Sequence, residues 1–160
     1  MTTPRASLIT LRPHQAELLD RLRSAQSNRI LIKSSVGIGL TTVLIQLAAE
    51  RAATSSSVVV VTPHRLLVEQ WVDRLQAVGT ASRPLYTESD FFSLLPSDVP
   101  SEGLQEGVTI FSCSILRRPM PRTAIGGSDI DLLIFDDVAA SANSRLAETF
   151  SELIKRAKGP

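Results

Sequence analysis

The sequence of 160 residues has very few cysteine and aromatic residues and almost no net charge. Its only cysteine, Cys113, excludes a disulfide within the chain and fits a reducing compartment. Aromatic residues make up 4% of the chain, so we expect a core of Leu, Val, Ile and Ala. The formal net charge is +1, which gives no overall attraction to nucleic acid. Any contact with nucleic acid would therefore need a local basic patch.

Long hydrophobic runs are also missing. No stretch reaches the roughly 18 apolar residues of a transmembrane helix, and the first residues lack the apolar segment of a signal peptide. We therefore expect a cytoplasmic protein without a membrane partner. The length fits one domain, residues 1–160, and the hydrophobic content of 43% is enough to build a substantial core.

Hydrophobic periodicity predicts helices that alternate with short strands. The predicted helices cover residues 14–25, 40–53, 64–78 and 144–157, and a shorter helix at 90–95 is the one element predicted within 79–107. The predicted strands cover residues 29–33, 57–62, 108–112 and 130–135. The second strand contains four consecutive valines, which is typical of a strand buried on both faces of a parallel sheet. The pattern predicts a doubly wound α/β fold.

A glycine-containing loop, residues 34–42, joins the predicted strand 29–33 to the predicted helix 40–53. In this strand–loop–helix setting, backbone N–H groups at the helix start can bind phosphate, and glycines allow the tight turn. The loop lacks a lysine, because Leu40 occupies the position at which a Walker A motif has one. Thr41 and Thr42 follow, and their hydroxyl groups fit a magnesium ligand and a simple helix start equally well.

Four segments resemble helicase motifs and occur in the family's order. Residues 11–15 are similar to the Gln motif, 36–41 to motif I, 62–71 to motif Ia and 130–139 to motif II. The chain thus resembles the first RecA-like lobe of superfamily 2 helicases, most closely the Swi/Snf-like DNA translocases. The resemblance implies a RecA-like P-loop fold with three α/β/α layers and a mainly parallel sheet. No strand similar to motif III follows, so we expect the sheet to be incomplete at its C-terminal end.

The resemblance also implies residue roles at a nucleotide site. Nucleotide contacts are implied for Gln15, Gly37, Gly39, Leu40, Thr41 and Thr42. Thr41 and Asp136 would hold Mg²⁺, while Asp136 and Asp137 take the catalytic positions of motif II. Asp137 stands where the family has a longer glutamate, and Ala139 stands where it has histidine. The two aspartates could alternatively be solvated acids at the end of a strand.

A nucleic-acid surface is predicted from residues in and after the motif Ia and motif Ib segments. The candidate contacts are His64, Arg65, Ser112, Arg117 and Arg118. A capped surface helix and a solvated arginine loop remain the alternative interpretations. DNA is the expected partner, or else a protein subunit that supplies the second helicase lobe.

Leu40, Asp137 and Ala139 alter three separate catalytic roles, which favours a degenerate lobe without hydrolytic activity. Such a lobe would bind DNA or protein within a nucleic-acid-processing or defence complex, and its binding of ATP and Mg²⁺ would be weak or absent. The alternative is the ATP-binding half of an active ATPase whose second lobe lies outside this chain. The first interpretation requires that no other cation reaches the loop, and Lys33 is expected to point away from it.

Overall fold

The computed structural model describes residues 9–27, 30–33, 35, 37–54, 57–87, 90, 107–115, 130–137, 151 and 153–155. Its elements, in order, are α1 (Pro13–Ser24), α2 (Leu40–Ala52), β1 (Ser57–Thr62), α3 (Arg65–Ala77), β2 (Ser82–Leu85), β3 (Gly107–Ser112), a 3-10 helix (Cys113–Ile115) and β4 (Leu132–Phe135). None of the described helices is both long enough and apolar enough to cross a lipid bilayer.

The four described strands form one parallel sheet in the order β2-β3-β1-β4. In the centre of the sheet, Val58 of β1 pairs with Val108 of β3 on one side and with Leu132 of β4 on the other. Every residue of β1 is buried, as predicted from its run of valines. Parallel neighbours need crossover connections. The α/β fold with a mainly parallel sheet that the sequence predicts is therefore confirmed.

The main core lies between this sheet and the helices α2 and α3. Alternate strand residues, including Val60 and Ile110, pack with Ile45 of α2 and with Trp71 and Leu75 of α3. Helix α1 packs on α2 in a smaller cluster of buried residues, Leu19, Val43 and Leu47. The start of α2 and the middle of α3 are thereby held close to the carboxyl end of the sheet.

Helix α3 ends at a glycine, which fixes its length. Gly79 has a φ of 74°, and its N–H donates to Gln76 O while the N–H of Thr80 donates to Leu75 O, both at 2.9 Å. This is a Schellman motif, in which the left-handed residue favours glycine. The chain then turns directly into β2.

Of the strand predicted at 29–33, the described residues 30–33 form no strand, which corrects the sequence interpretation. Residues 30–33 are described and lie outside the sheet, with Leu31 94% exposed and Ile30 48% exposed. The run has β propensity, but a strand also needs a hydrogen-bonded neighbour. Among the described strands the sheet ends at β4, and a cavity separates β4 from these residues.

Two further differences concern strands. The short edge strand β2 was not predicted, because Pro84 and Arg83 give it no strand-like pattern. Strand β4 begins at Leu132, two residues later than predicted, because Asp131 bends away and its carboxylate accepts the Ser57 N–H at 2.8 Å. Residues 151 and 153–155 of the predicted helix 144–157 are helical, as is residue 90 of the predicted helix 90–95. The other residues of these two predictions lie outside the described part of the chain.

Candidate nucleotide site

An open cavity of about 920 Å³ runs along β4 and reaches the carboxyl end of the sheet. Its walls are the described part of the glycine loop, the start of α2, residues 30–33 of the irregular segment, and residues 131–137 with β4. The carboxyl ends of parallel strands and the start of a helix that faces them are a common place for ligands in α/β proteins. Most of the nucleotide-site residues predicted from the sequence lie around this one cavity.

The glycine loop turns sharply into α2. Gly37 and Gly39 both have positive φ values, 86° and 79°, and Gly39 is the residue that precedes the helix. Its carbonyl accepts the first helical hydrogen bond, from Thr42 N at 3.0 Å. The N–H groups that precede Thr42 in the first turn have no carbonyl partner within the helix, so they are available to an anion. The described part of the loop therefore leaves backbone N–H groups unpaired at the start of α2, and phosphate binding by them stays a prediction.

Gln15 lies in the wall of this loop and is 7% exposed. Its Oε1 accepts the Arg12 N–H at 2.9 Å, and its Nε2 donates to the Ile38 carbonyl at 3.0 Å. A Cβ atom at Gly39 would collide with the same Nε2, so the glycine also permits this close approach. In this conformation Gln15 fastens α1 to the glycine loop. Adenine recognition by Gln15 remains a prediction, and it would require the amide to exchange partners.

Leu40, at the Walker A lysine position, is partly buried and packs against the main core cluster. An aliphatic side chain in this place provides contact area between α2 and the core. It offers no charge or hydrogen bond to a phosphate. In this structure the first residue of α2 thus packs against the core of the lobe.

Asp136 connects the three elements that surround the cavity. It follows β4, and its N–H donates to the Val61 carbonyl of β1 at 2.9 Å. Its Oδ2 accepts the indole N–H of Trp71 at 2.8 Å, and its Oδ1 lies 3.5 Å from the Thr41 hydroxyl, which donates to it. Asp136 is 5% exposed. The carboxylate is thus held on one side by α3 and faces the start of α2 on the other.

Thr41 and Asp136 fit a magnesium ion by the chemistry of their oxygen atoms. Mg²⁺ in nucleotide sites is held by one or two carboxylates or hydroxyls together with phosphate oxygens and water. Within the described residues, no group of three His, Cys, Asp or Glu side chains converges on a metal position. An ion here would therefore need oxygens from a bound nucleotide, and its chemistry would be to neutralise the phosphates. Asp137 is exposed and adopts a left-handed φ of 58° beside this pair.

Arg74 of α3 approaches the start of α2 from the side. Its Nη1 donates to the Thr42 hydroxyl at 3.3 Å. Lys33 and Arg51 also line the cavity, as do the carboxylates of Asp131, Asp136 and Asp137. Among the described residues, three basic and three acidic side chains therefore line the cavity. Where each of these charges lies decides which ligand the cavity can hold.

The predicted nucleic-acid residues lie at the ends of β1 and β3. His64 is exposed just before α3, and the exposed Arg65 pairs with Glu69 at 3.0 Å and stacks on Tyr86 at 4.8 Å. Ser112 is 2% exposed, and its hydroxyl donates to the Pro63 carbonyl at 3.2 Å. In this conformation Ser112 supports the chain around Pro63 and does not reach the surface. Arg117 and Arg118 lie outside the described residues.

Two residues of the site were not predicted from the sequence, namely Trp71 and Arg74. In the sequence, Trp71 lies at helical spacing from Leu67, Leu75 and Val78 on the apolar face of the predicted helix 64–78, and it is indeed fully buried. Its hydrogen bond to Asp136 was not foreseen. The spacing of three residues places Arg74 on the same side of α3 as Trp71. That spacing is the signal from which a cation beside motif II could have been proposed.

The fold and the cavity define the chain as a helicase-like RecA-type lobe with a glycine loop facing a motif II aspartate. Residues 8–157 match the family model described as type III restriction enzyme, res subunit, and the chain belongs to this family. The family lies within the superfamily 2 helicase-like group, which the order of the motifs had indicated. No curated protein and no solved structure matches the chain.

Proposed function

We propose that this chain is a helicase-type lobe that binds Mg-nucleotide weakly, does not hydrolyse it, and serves as a binding module for DNA or a protein partner. The observation that carries the proposal is the position of Leu40, whose side chain packs on the core where a hydrolytic site needs a cation. Losing one preorganised transition-state contact typically lowers a rate by about 10²–10³. Asp137, shorter by one methylene than glutamate, lowers it further.

A second function is favoured by the retained pair of Thr41 and Asp136. Their oxygens lie 3.5 Å apart at the mouth of the glycine loop, as an ATP site would require. On this alternative the chain is the ATP-binding half of an active DNA-dependent ATPase, and a second lobe outside residues 1–160 completes the site. The similarity of the four motifs to Swi/Snf-like translocases supports DNA as the nucleic acid in either case.

Separate measurements of binding and turnover distinguish the two functions. We expect Mg-ATP to bind weakly by isothermal titration, and we expect no DNA-stimulated phosphate release from the wild-type chain. Leu40→Lys should strengthen ATP binding without starting turnover, because Asp137 still limits the reaction. Gln76→Lys adds the same charge to an exposed position of α3 and should change neither quantity. Phosphate release that depends on Asp136 would refute the non-hydrolysing function and support the alternative.

The binding-module part of the proposal is tested with DNA. His64 and Arg65 are exposed at the end of β1, beside the start of α3. We expect the double variant His64→Ala and Arg65→Ala to weaken binding of a short DNA duplex and to reduce its dependence on salt. Unchanged DNA binding by this variant would leave a protein partner as the remaining ligand of the module.

A further inference from the structure

A phosphate group at the glycine loop would lack a cation from the loop itself. Leu40 is apolar and packed, so the backbone N–H groups and the helix dipole of α2 are the loop's own source of positive potential. These partial charges amount to about half an elementary charge at the helix start. A triphosphate carries several negative charges. Tight binding therefore needs a full positive charge from another part of the chain.

Arg74 is the cation whose side chain already contacts the start of α2. Its Nη1 lies 3.3 Å from the Thr42 hydroxyl, and it borders the cavity that contains the glycine loop. Arg65, on the same helix, is engaged by Glu69 and Tyr86, whereas Arg74 forms no ion pair with any described residue. Its guanidinium keeps the remaining donors for a ligand.

The other two cations of the cavity are less well placed. Arg51 lies ten residues after Thr41 on the same helix, which separates the two Cα atoms by roughly 15 Å at about 1.5 Å per residue. Lys33 borders the cavity, but it forms no hydrogen bond or ion pair with the described residues around it. Arg74 is the described cation that reaches the first turn of α2.

Trp71, one helical turn before Arg74, fixes the position of the Arg74 backbone. The buried indole donates to Asp136 at 2.8 Å and so holds this part of α3 against the end of β4. Three residues later on the same side, the exposed side chain of Arg74 begins from a fixed backbone and can turn from Thr42 to a ligand. Trp71, which contacts Asp136, and Arg74 are thus one helical turn apart, so the backbone of Arg74 keeps a fixed position relative to Asp136.

We propose that Arg74 takes over the role of the missing loop lysine and binds the phosphates of a nucleoside triphosphate held by the glycine loop and the first turn of α2. The inference rests on the proposed function in one respect only, that the loop binds a nucleotide. It would give a loop with Leu40 the positive charge that phosphate binding needs, and the absence of hydrolysis would then rest on Asp137 and Ala139 rather than on Leu40. A nucleotide is favoured over nucleic-acid phosphate, because the loop amides and the oxygens of Thr41 and Asp136 face the same cavity.

Arg74→Gln in the full chain tests the inference, with Arg83→Gln as the matched control. Arg83 is an exposed arginine of the edge strand β2 and does not border the cavity. We expect Arg74→Gln to weaken Mg-ATP binding in isothermal titration by about tenfold. This loss of affinity is the lower limit for removing a charged hydrogen-bond donor, and we expect the lower limit because the site is open to solvent. The affinity of the wild type and of the control should fall with added salt, and that of Arg74→Gln should fall less.

A rescue experiment separates a binding role from a structural one. If Arg74 replaces the lysine, Leu40→Lys should raise the affinity for Mg-ATP more in Arg74→Gln than in the wild type, because the two cations would serve the same phosphates. If Arg74 has a purely structural role, the gain in affinity from Leu40→Lys should be the same in both backgrounds. Thermal melts of all variants, followed by circular dichroism, should agree within a few degrees.

The outcomes are distinct from those that test turnover. Equal ATP affinity of wild type and Arg74→Gln, or a gain from Leu40→Lys that is no larger in Arg74→Gln than in the wild type, overturns the inference. A lower affinity for a DNA duplex with unchanged affinity for Mg-ATP overturns it as well and assigns Arg74 to nucleic acid. Phosphate release by the wild type would refute the non-hydrolysing function and leave the role of Arg74 intact.

Discussion

Trp71→Phe provides the most direct test of how the site is built into the core. Trp71 is fully buried, and its indole N–H donates a hydrogen bond of 2.8 Å to Asp136 Oδ2. Phenylalanine keeps an aromatic ring in the core but removes that donor. A buried carboxylate oxygen deprived of its donor costs about 1–3 kcal/mol. The smaller ring leaves roughly 40 Å³ unfilled, which adds about 1 kcal/mol at about 24 cal/mol per Å³.

We therefore expect Trp71→Phe to lower the free energy of unfolding by about 2–4 kcal/mol. Urea denaturation followed by far-ultraviolet circular dichroism measures it, because the variant has lost the only tryptophan of the chain. A double-mutant cycle with Asp136→Asn measures the part of this hydrogen bond that depends on the charge, because asparagine keeps an acceptor for the indole and an amide is less costly to leave unpaired than a carboxylate. We expect a coupling of about 1 kcal/mol.

Leu75→Ala is the matched control for this cycle. Leu75 is fully buried on the same helix and has no polar group to pair with Asp136. Its destabilisation should add to that of Asp136→Asn without coupling. A loss below about 1 kcal/mol for Trp71→Phe, or strict additivity with Asp136→Asn, would refute the conclusion that the indole supports the carboxylate.

Two further predictions concern ionisable groups away from the cavity. Burial raises the pKa of Glu50, but hydrogen bonds from Arg23, at 2.5 and 3.0 Å, and from Gln46 outweigh it, so the pKa is lowered overall. Ionised Glu50 therefore stabilises the folded chain fully above its unfolded pKa of about 4.3, and this stabilisation is lost as the pH falls through its lower pKa in the folded chain. Because Arg23 is half exposed, the stabilisation amounts to less than about 1 kcal/mol. Urea midpoints at pH 7 and pH 3 should therefore differ less for Glu50→Gln than for wild type, and an equal difference would contradict this contribution. Burial also raises the pKa of the Cys113 thiol to about 11. Iodoacetamide at pH 8 should therefore label the chain only in denaturing urea. Rapid labelling of the native chain would contradict the buried position of the thiol.

The sequence predicted those parts of the fold whose pattern reports burial directly. The valines of β1 and the apolar stripe of α2 occur where they were expected, because continuous burial requires such residues. Residues 30–33 have a similar local pattern but no neighbouring described strand, and no local pattern shows whether a partner is present. Strand β2 shows the reverse, since its pairing with β3 is enough to form a strand from Ser82 to Leu85 without a strand-like sequence.

The residues of the candidate site also divide into those that the sequence indicated and those that it did not. The order of the motifs assigned Thr41 and Asp136 to one site, and their oxygens lie 3.5 Å apart across 95 residues of sequence, while their binding of a metal stays a prediction. It did not predict the contacts from α3, because the apolar face of that helix gave Trp71 a sufficient reason to be buried. The indole N–H of Trp71 donates to Asp136, which is 65 residues away in sequence, and Arg74 donates to Thr42, which is 32 residues away. Such contacts follow from how helices pack on the sheet, which periodicity alone does not determine.

Asp136 thus has two roles that a single substitution would confuse. Its carboxylate joins α3 through Trp71 and faces α2 through Thr41, and this arrangement exists without any ligand. Asp136→Ala would therefore destabilise the lobe even if no nucleotide ever binds, and loss of activity in that variant would say nothing about chemistry. Asp136→Asn retains an acceptor for the indole while it removes the charge that a magnesium ion needs. The asparagine variant alone can separate the aspartate that supports the fold from the aspartate that holds a metal.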